Sequence, residues 1–368
     1  MYIDRIKLDS FRTFRKAEIV FNHPDVDFAA VGRPRPKIPN VNLLLGDNGY
    51  GKSAMLKAVA LTCLGPAVRS AGIYPYSLVR REPAHQKAGN GSKVLQPTRA
   101  TLEATFTPHE QDRAGEHGRI LSKVEVVKKE DLEQLEWANS GEDGWRSIYS
   151  SRSDAFFFVG YGATRRVERQ ERVDLGSRHT STFLRAQRVQ SLFEDFYSLI
   201  PLNSWLPQFK TENPRRHEEA INLINSAMGR GHYSFAGEVE DREYLFERGR
   251  LKIPFPALSD GYRAFLGWIG DLLYHMSVTS PRDAELVGNK GIVLVDEIDL
   301  HLHPQWQMGV LPVLARTLPN LQFIVTSHSP LVVGSLEWMN IILMSPGPRQ
   351  SSRPKQLEWP IHGLDADQ

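Results

Sequence analysis

Two short segments near the start of the chain alternate hydrophobic and polar positions. Residues 2–8 and 16–21 show this alternation, which is typical of strands with one buried face. The hydrophobic positions are Ile6 and Leu8 in the first segment and Ala17, Ile19 and Phe21 in the second. The intervening sequence, SFRTFRK, predicts a turn that carries Arg12 and Arg15.

A loop, a strand and a helix are predicted next. Residues 22–40 contain several proline and aspartate residues, which predict a loop. Val41–Leu45 is a short apolar run of the kind expected of a buried parallel strand. After Lys52, hydrophobic residues recur at steps of four, which predicts a helix that Gly65 and Pro66 stop.

The rest of the chain predicts further strands on either side of a central segment of different character. Strands are predicted at 101–107, 119–127, 155–159, 292–295, 323–325 and 341–344, with helices near 258 and around 305–317. Residues 163–257 begin with a segment dense in arginine and continue with helical patterns near 183–200 and 216–229. We therefore expect residues 1–162 and 258–368 to form one core, with an inserted, mostly helical subdomain at 163–257.

Composition narrows the class of protein. The chain has 368 residues, 41% of them hydrophobic, which is enough for a sizeable core. The net charge of +2, from 45 Lys+Arg and 43 Asp+Glu, excludes a strongly basic nucleic-acid binder but permits local basic patches. The single cysteine, Cys63, excludes an intrachain disulfide framework and fits a reducing cytoplasm. With no signal-peptide pattern and no apolar run of about 18 residues, we expect a cytoplasmic protein that does not span a membrane by itself.

Residues 46–53, GDNGYGKS, match the phosphate-binding pattern G-x-x-x-x-G-K-[ST]. The glycines let backbone N–H groups approach phosphate oxygens closely at a helix N-terminus. Lys52 then places its charge against the β and γ phosphates, and the Ser53 hydroxyl is a ligand for Mg²⁺. Because the motif follows an apolar strand and opens a helix, we favour ATP and Mg²⁺ binding over a chance match.

The strand predicted at 292–295 runs directly into two carboxylates, Asp296 and Glu297. In P-loop enzymes the first acid holds Mg²⁺ through water, and a following glutamate can act as general base on the attacking water. The alternative is that these acids only cap the next segment. The phosphate-binding pattern in the same chain favours the catalytic interpretation.

Two histidine-containing segments follow. His301 and His303 stand beside Asp299, and a metal site is one interpretation; nothing nearby completes a ligand set, so we favour a dimer-contact loop. In TSHSP, residues 326–330, adjacent serine and histidine side chains rarely face each other, which disfavours nucleophilic catalysis. His328 lies just past a strand next to the nucleotide strands, where it is placed to touch the γ-phosphate.

The sequence LSDGYR at 258–263 resembles the ABC signature motif, usually LSGG followed by a polar residue. With the phosphate loop, VDEID and SHS in the same order, the chain resembles an ABC ATPase. It is most similar to the SMC/RecF-like branch, which includes prokaryotic AAA-type ATPases found with nucleases in DNA repair and antiviral defence. The most specific points are IDRIKLDSFRTFRKAEIVFN leading into LLLGDNGYGKS, and DEIDLHLHPQWQ. The resemblance covers about 1–65 and 255–345 and thins across the insertion.

This resemblance implies an α/β fold: a P-loop ABC ATPase head with a mixed sheet, an antiparallel β subdomain and an inserted helical subdomain. It implies a nucleotide site formed by Asn48, Gly49, Tyr50, Gly51, Lys52 and Ser53, with Asp296 on the metal, Glu297 as base, Asp299 in the dimer loop and His328 at the γ-phosphate. Ser259, Asp260 and Gly261 would contact the γ-phosphate of a nucleotide held by the partner subunit, because a serine hydroxyl and helix N-terminal amides form an anion site. Arg12 or Arg15 would touch nucleotide phosphate or base.

Two departures from the family pattern stand out. Asp260 occupies a position where many relatives have glycine, and it adds a negative charge near the partner's phosphate. No glutamine follows the strand predicted at 155–159, whose end reads GYGATR; Gln170 lies a few residues on, so the metal-sensing role of the family's Gln loop is unassigned.

The leading functional hypothesis is an ATP-dependent homodimer or higher oligomer that acts on DNA or controls a nuclease or toxic effector. Two alternatives stay open: the nucleotide-binding subunit of a membrane transporter, and a dimerisation switch with little turnover. The arginines of the insertion could lie along nucleic-acid phosphates or form a solvated face paired with Glu168, Glu171 and Asp174; they include Arg165, Arg166, Arg169, Arg172, Arg178, Arg185 and Arg188. We expect any nuclease to be a separate polypeptide, or to lie on a part of the natural protein outside this chain.

Overall fold

The structure is a computed structural model. It describes residues 1–82, 96–112, 118–139, 144–149, 156–167, 181–229, 233–240, 243–281 and 283–358. Gln170, three arginines of the predicted basic segment (Arg169, Arg172 and Arg178) and its three acidic residues lie outside these ranges.

The described elements alternate between strands and helices along the chain. The first half contains β1 (Tyr2–Phe11), β2 (Phe14–Val20), β3 (Val41–Leu45), α1 (Lys52–Leu64), β4 (Arg99–Thr107), β5 (Ile120–Lys129), β6 (Leu132–Trp137), α2 (Trp145–Ile148), β7 (Phe157–Tyr161), β8 (Arg166–Val167) and α3 (Ser181–Gln190). The second half contains β9 (Ser198–Leu199), α4 (Leu202–Glu212), α5 (Pro214–Met228), β10 (Ser234–Glu240), β11 (Glu243–Arg248), β12 (Leu251–Pro254), α6 (Asp260–Thr279), β13 (Gly291–Val295), α7 (Pro304–Gln307), α8 (Val310–Thr317), β14 (Leu321–Ser327), α9 (Pro330–Gly334), β15 (Ile341–Gly347) and β16 (Ser351–Gln356).

Two large sheets organise the protein. An antiparallel sheet has the strand order β2-β1-β4-β5-β6, and a mixed sheet has the order β16-β15-β3-β14-β13-β7. In the mixed sheet, the strands from β15 to β7 pair in parallel and only the edge strand β16 is antiparallel. Strands β10, β11 and β12 form a smaller antiparallel sheet.

The central strands of the mixed sheet are covered on both faces, which explains why β3 and β13 are short, almost wholly hydrophobic runs. Ile292 and Leu294 of β13 belong to one buried cluster with α1 and the antiparallel sheet. Val293 and Val295 belong to a second cluster with residues of α4, α5, α6 and α8. Because successive side chains of a strand point to opposite faces, one strand contributes to both cores.

The parallel pairing brings the loops of the predicted site to one edge of the mixed sheet. Leu45 of β3 pairs with Ser327 of β14. On the far side of β14, Val295 of β13 pairs with Val325, and it also pairs with Tyr161 of β7. The segments that follow these four strands therefore begin side by side, which is where open α/β sheets bind ligands.

The mixed α/β fold of the sequence analysis is confirmed, and Val41–Leu45 and the helix after Lys52 have the expected bounds. Other details were wrong. The helix predicted at 183–200 ends at Gln190, and the helix around 305–317 is divided into α7 and α8. Strands β6, β10, β11, β12 and β16 were not predicted.

Two of the missed strands, β16 and β10, lack a regular hydrophobic pattern. β16, SSRPKQ, contains a proline and pairs only at a sheet edge, where proline is tolerated. In β10 the register shifts between Phe235 and Val239 around Gly237, whose φ is +71°, so the alternation is interrupted. Among the residues that the structure describes, no helix combines the length and apolar character needed to cross a membrane.

Candidate nucleotide-binding site

The phosphate loop joins β3 to α1 and requires glycine for two reasons, its backbone conformation and the space around it. Gly49 and Gly51 both have φ of +87°, in the left-handed region that glycine adopts without strain. A Cβ atom on Gly51 would also lie 2.4 Å from Thr13 Oγ1, so the β1–β2 turn leaves no space for a side chain there. The turn carrying SFRTF is therefore packed directly against the loop that opens α1.

Lys52 is the first residue of α1, and its side chain folds back over the loop. Its ammonium group donates hydrogen bonds to the carbonyl oxygens of Gly46 (2.6 Å) and Asp47 (3.0 Å). Burial lowers the pKa of Lys52, while the carboxylates of Asp296 and Glu297 act in the opposite direction. The loop thus combines the backbone amides of its glycines with an ammonium near two acids, a donor set that suits the phosphates of a Mg²⁺-bound nucleotide.

The two acids at the end of β13 are fixed by one threonine of β14. The Thr326 hydroxyl donates to Asp296 Oδ1 (2.6 Å) and accepts from the backbone N–H of Glu297 (2.7 Å). Asp296 is buried, whereas Glu297 is partly exposed with φ of +48°. This left-handed turn lets the chain leave the sheet immediately after Asp296 and presents the Glu297 carboxylate at the sheet edge.

Arg165 belongs to the site, although the sequence analysis did not assign it there. Its guanidinium donates to the carbonyl oxygen of Asp296 at 3.1 Å and to that of Glu297 at 2.7 Å. The residue is only 6% exposed, and burial lowers the pKa of Arg165 to about 10. The segment after β7, where the family's Gln loop would lie, therefore contains a buried arginine that binds the backbone of Asp296 and Glu297. We call these two residues the acid turn.

Two more arginines of the predicted basic segment are buried. Arg185 donates to the carbonyl of Ile148 at 3.0 Å, and its guanidinium lies 4.2 Å from the centroid of the Tyr149 ring. Arg188 lies over the ring of Phe157. The sequence analysis offered a nucleic-acid contact or a solvated face for these arginines. Both interpretations are wrong for Arg165, Arg185 and Arg188, because their buried guanidinium groups contact backbone carbonyls or aromatic rings.

His328 follows β14 at the same edge as the phosphate loop, and it is exposed. The next residue, Ser329, donates from its hydroxyl to Gln307 Oε1 at 2.7 Å and accepts from the amide of Leu331 at the start of α9. Gln307 in turn donates to the carbonyl of Leu302 at 2.9 Å. The His328 segment is thereby tied to the predicted dimer-contact loop.

The signature segment faces outward at the start of α6. The Ser259 side chain makes no capping bond to its own helix, and residues 259 and 260 are exposed. The Asp260 carboxylate pairs with the guanidinium of Arg263, which also donates to the carbonyl of Pro256 at 2.7 Å. The extra negative charge at Asp260 thus has a counter-charge one turn along the same helix.

Gly261 packs against the dimer-contact loop of the same protomer. A Cβ atom at Gly261 would lie 2.5 Å from the carbonyl oxygen of His301, so no larger residue fits without moving the backbone. In the described residues, no hydrogen bond or ion pair joins Ser259, Asp260 or Gly261 to residues 46–53. The fold brings the phosphate loop, the acids and His328 together, but it leaves the signature separate from them.

Arg12 lies in the β1–β2 turn with φ of +47°. Burial lowers the pKa of Arg12, and the Arg12 charge in turn contributes to lowering the pKa of Lys57 in α1. Arg12 is therefore close to the helix that the phosphate loop opens, whereas Arg15 is exposed. Of the two arginines, Arg12 has the better placement for a nucleotide contact.

The metal-site interpretation of the two histidines gains no support. Within the described ranges, no group of three or more His, Cys, Asp or Glu side chains could hold a metal ion. The imidazole of His303 instead accepts a hydrogen bond at 3.4 Å from the amide of Gln305, at the start of α7.

Arg80 anchors the turn that contacts the phosphate loop, a role that the sequence analysis did not predict. It is 4% exposed and donates to the carbonyls of Thr13 (2.8 Å) and Arg349 (3.0 Å), with Glu82 as its ion-pair partner. We expect Arg80→Ala to lower the free energy of unfolding by about 2–4 kcal/mol, because the buried guanidinium, its ion pair with Glu82 and its bonds to two partly buried carbonyls are all lost. Urea unfolding measures this. Arg81→Ala, at the exposed neighbour, should change it by less than about 0.5 kcal/mol; equal losses would contradict the anchoring role.

Comparisons with known proteins agree with this arrangement. Residues 41–334 match the family described as "AAA domain, putative AbiEii toxin, Type IV TA system". "Septu protein PtuA" of Bacillus mycoides (strain KBAB4) is 26% identical over 99% of this chain and 44% of its own length. "Retron Ec83 probable ATPase" of Escherichia coli is 37% identical over 28% of this chain and 19% of its own length. The chain thus spans less than half the length of these curated relatives.

Solved structures give the same fold. A structure of the SmcHead bound to the C-winged helix domain of ScpA has a TM-score of 0.58 at 15% identity, covering 97% of this chain and 98% of that one. The SMC head domain from Thermotoga maritima has a TM-score of 0.51 at 17% identity, covering 98% of this chain and all of that one. The architecture is therefore that of an SMC head.

Proposed function

We propose that this chain, which belongs to this family of AAA domains and has the fold of an SMC head, is an ATPase of the antiviral-defence type that hydrolyses ATP as a head-to-head dimer. Two protomers would enclose two nucleotides, each held by the phosphate loop of one protomer and the signature of the other. The observation that carries this proposal is the exposed Ser259 at the start of α6. Its hydroxyl and the first amides of the helix would form an anion site, and within the described residues no hydrogen bond or ion pair joins this segment to its own phosphate loop.

Within one protomer, the residues have separate roles in the proposed reaction. The amides of residues 48–53 and the Lys52 ammonium bind the phosphates. Ser53 and Asp296 would hold Mg²⁺, which supplies charge neutralisation at the β and γ phosphates when bound. Glu297 takes a proton from the attacking water, and His328 contacts the γ-phosphate.

The same proposal extends to a partner. The relatives carry the names of Septu and retron proteins, which favours antiphage defence over DNA repair. We propose that closure and opening of the dimer gate a separate nuclease or effector, with the insertion transmitting the change. Direct nucleic-acid contact would then be secondary. A cytoplasmic location fits the need for ATP and the single buried thiol at Cys63.

Two alternative functions predict different behaviour. A transporter subunit would act beneath a membrane partner, and the defence-system relatives argue against it. A dimerisation switch would bind ATP in the same way but show negligible turnover even with its partner present.

Turnover should depend on protein concentration if the active site is composite. We expect ATP hydrolysis per protomer to rise with protein concentration and to level off once dimers dominate, because a lone protomer lacks the signature contact. Phosphate release measured over a dilution series with saturating Mg²⁺ and ATP checks this. Constant activity per protomer down to concentrations at which the ATP-bound protein is monomeric would contradict it, and no turnover at any concentration would favour the switch.

A further inference from the structure

Arg165 occupies an unusual position at the end of β7. The strand itself ends at Tyr161, and four residues later the Arg165 side chain reaches back across the sheet edge to the chain that leaves β13. Its two terminal nitrogens bind successive carbonyl oxygens, those of Asp296 and Glu297. Such a fork-like contact suits the planar guanidinium, which presents several donors in fixed directions, and does not suit a lysine ammonium.

The turn that Arg165 grips is held from two sides. On its amide side, Glu297 N–H donates to Thr326 Oγ1 (2.7 Å) and Ile298 N–H donates to the Thr326 carbonyl (2.9 Å). On its carbonyl side, the Arg165 guanidinium donates to the backbone carbonyl oxygens of Asp296 and Glu297. Because Glu297 has a left-handed backbone, this conformation is unfavourable without such support.

We propose that Arg165 is a positioning residue: it fixes the backbone of Asp296 and Glu297 and thereby aims both carboxylates at the nucleotide. This inference rests on the proposed function for its catalytic meaning. Arg165 itself touches neither nucleotide nor water in this scheme.

Arg165 also connects the acid turn to the inserted segment. It lines a cavity of about 250 Å³ whose other walls include Leu202 of α4, Tyr244 of β11 and Gly267 of α6. Tyr244 is 2% exposed, and its hydroxyl has no hydrogen-bond partner in the described part of the chain. A movement of the insertion that changes the shape of this cavity would therefore move the Arg165 side chain and, through it, the backbone of Glu297.

The test exchanges the guanidinium for an ammonium. In Arg165→Lys we expect kcat for ATP to fall on the order of 10- to 100-fold, because small displacements of catalytic groups have effects of this size. The KM for ATP should stay within about twofold, since the phosphate loop is unchanged. The matched control is Arg185→Lys, at an arginine that is 8% exposed, donates to the backbone carbonyl of Ile148 and lies outside the acid turn. Its kcat should stay within about twofold of the unaltered protein.

A second readout does not depend on activity. Hydrogen exchange of the Glu297 and Ile298 amides should be faster in Arg165→Lys than in Arg185→Lys, because only the former releases the acid turn. If the unaltered chain shows no turnover but this difference in exchange is present, the positioning role stands and the proposed hydrolysis fails. Should Arg165→Lys not fold, Arg165→Gln takes its place with the same expectations.

The double variant Arg165→Lys, Glu297→Gln separates positioning from general damage. Because Arg165 also holds the backbone carbonyl of Asp296, the double variant should lose some turnover relative to Glu297→Gln alone, but less than Arg165→Lys loses in the unaltered chain. Multiplication of the two losses would overturn the proposal. So would exchange at Glu297 and Ile298 that is no faster than in Arg185→Lys, or a kcat equal to that control.

Discussion

Glu297→Gln is expected to lose roughly 10²- to 10⁴-fold of its ATP turnover while still binding ATP, because an amide cannot take a proton from water. The side chain keeps its size, and the turn that carries it is held through the backbone by Thr326 and Arg165, so the fold should be unchanged. With hydrolysis blocked, the ATP-bound dimer should persist. Phosphate release and binding of a fluorescent ATP analogue measure the two effects separately.

The control for this variant is Glu136→Gln, a partly buried glutamate of β6 in the antiparallel sheet. Its turnover should stay within about twofold of the unaltered protein. If Glu297→Gln retained more than about a tenth of the activity, Glu297 would not be the general base. The water would then have to be activated by another group at the sheet edge.

Ser259→Arg is expected to reduce ATP turnover by about as large a factor as Glu297→Gln does. Nucleotide binding to the isolated protomer should remain intact. The residue is exposed and, in the described part of the chain, makes no hydrogen bond to residues 46–53, so a long charged side chain there should disturb mainly the approach of a partner's nucleotide. Mixing equal amounts of Ser259→Arg and Lys52→Ala should restore about a quarter of the activity, since half of randomly formed dimers hold one intact composite site of two. Phosphate release from the mixture measures this recovery.

Ser234→Arg, the same exchange at an exposed serine of β10, serves as the control and should remain active. Absence of recovery in the mixture, with both variants folded and able to form dimers, would place the signature and the phosphate loop of one site in the same protomer. That outcome would contradict the composite site.

The parts of the site that the sequence predicted are those with a local pattern. The phosphate loop follows from the order of glycines between an apolar strand and a helix, and its bounds agree with β3 and α1. Asp296 and Glu297 were found because they end a continuous hydrophobic strand. Such patterns depend on neighbours in the chain, so one sequence is enough to predict them.

The parts that were missed depend on contacts between distant segments. Nothing in the local sequence distinguishes Arg80 from Arg81, or Arg165 from Arg166, and only the fold places backbone carbonyls within reach of the guanidinium groups of Arg80 and Arg165. The same holds for β16, whose composition is polar and which becomes a strand because β15 offers a free edge. The density of arginines at the start of the insertion predicted an exposed surface. In the structure, Arg185 and Arg188 are instead buried against aromatic rings and a backbone carbonyl.

A cysteine cross-link tests the composite site most directly, because the only natural cysteine, Cys63, is buried and should not interfere. We would place one cysteine in the phosphate loop, Asn48→Cys, and one in the signature, Ser259→Cys, within the Glu297→Gln chain, and oxidise it with and without ATP and Mg²⁺. The account predicts a covalent dimer, read as doubled mass, that forms only with nucleotide and requires both cysteines. A protein that stays monomeric with ATP bound, or that forms the cross-link only within one chain, would contradict it.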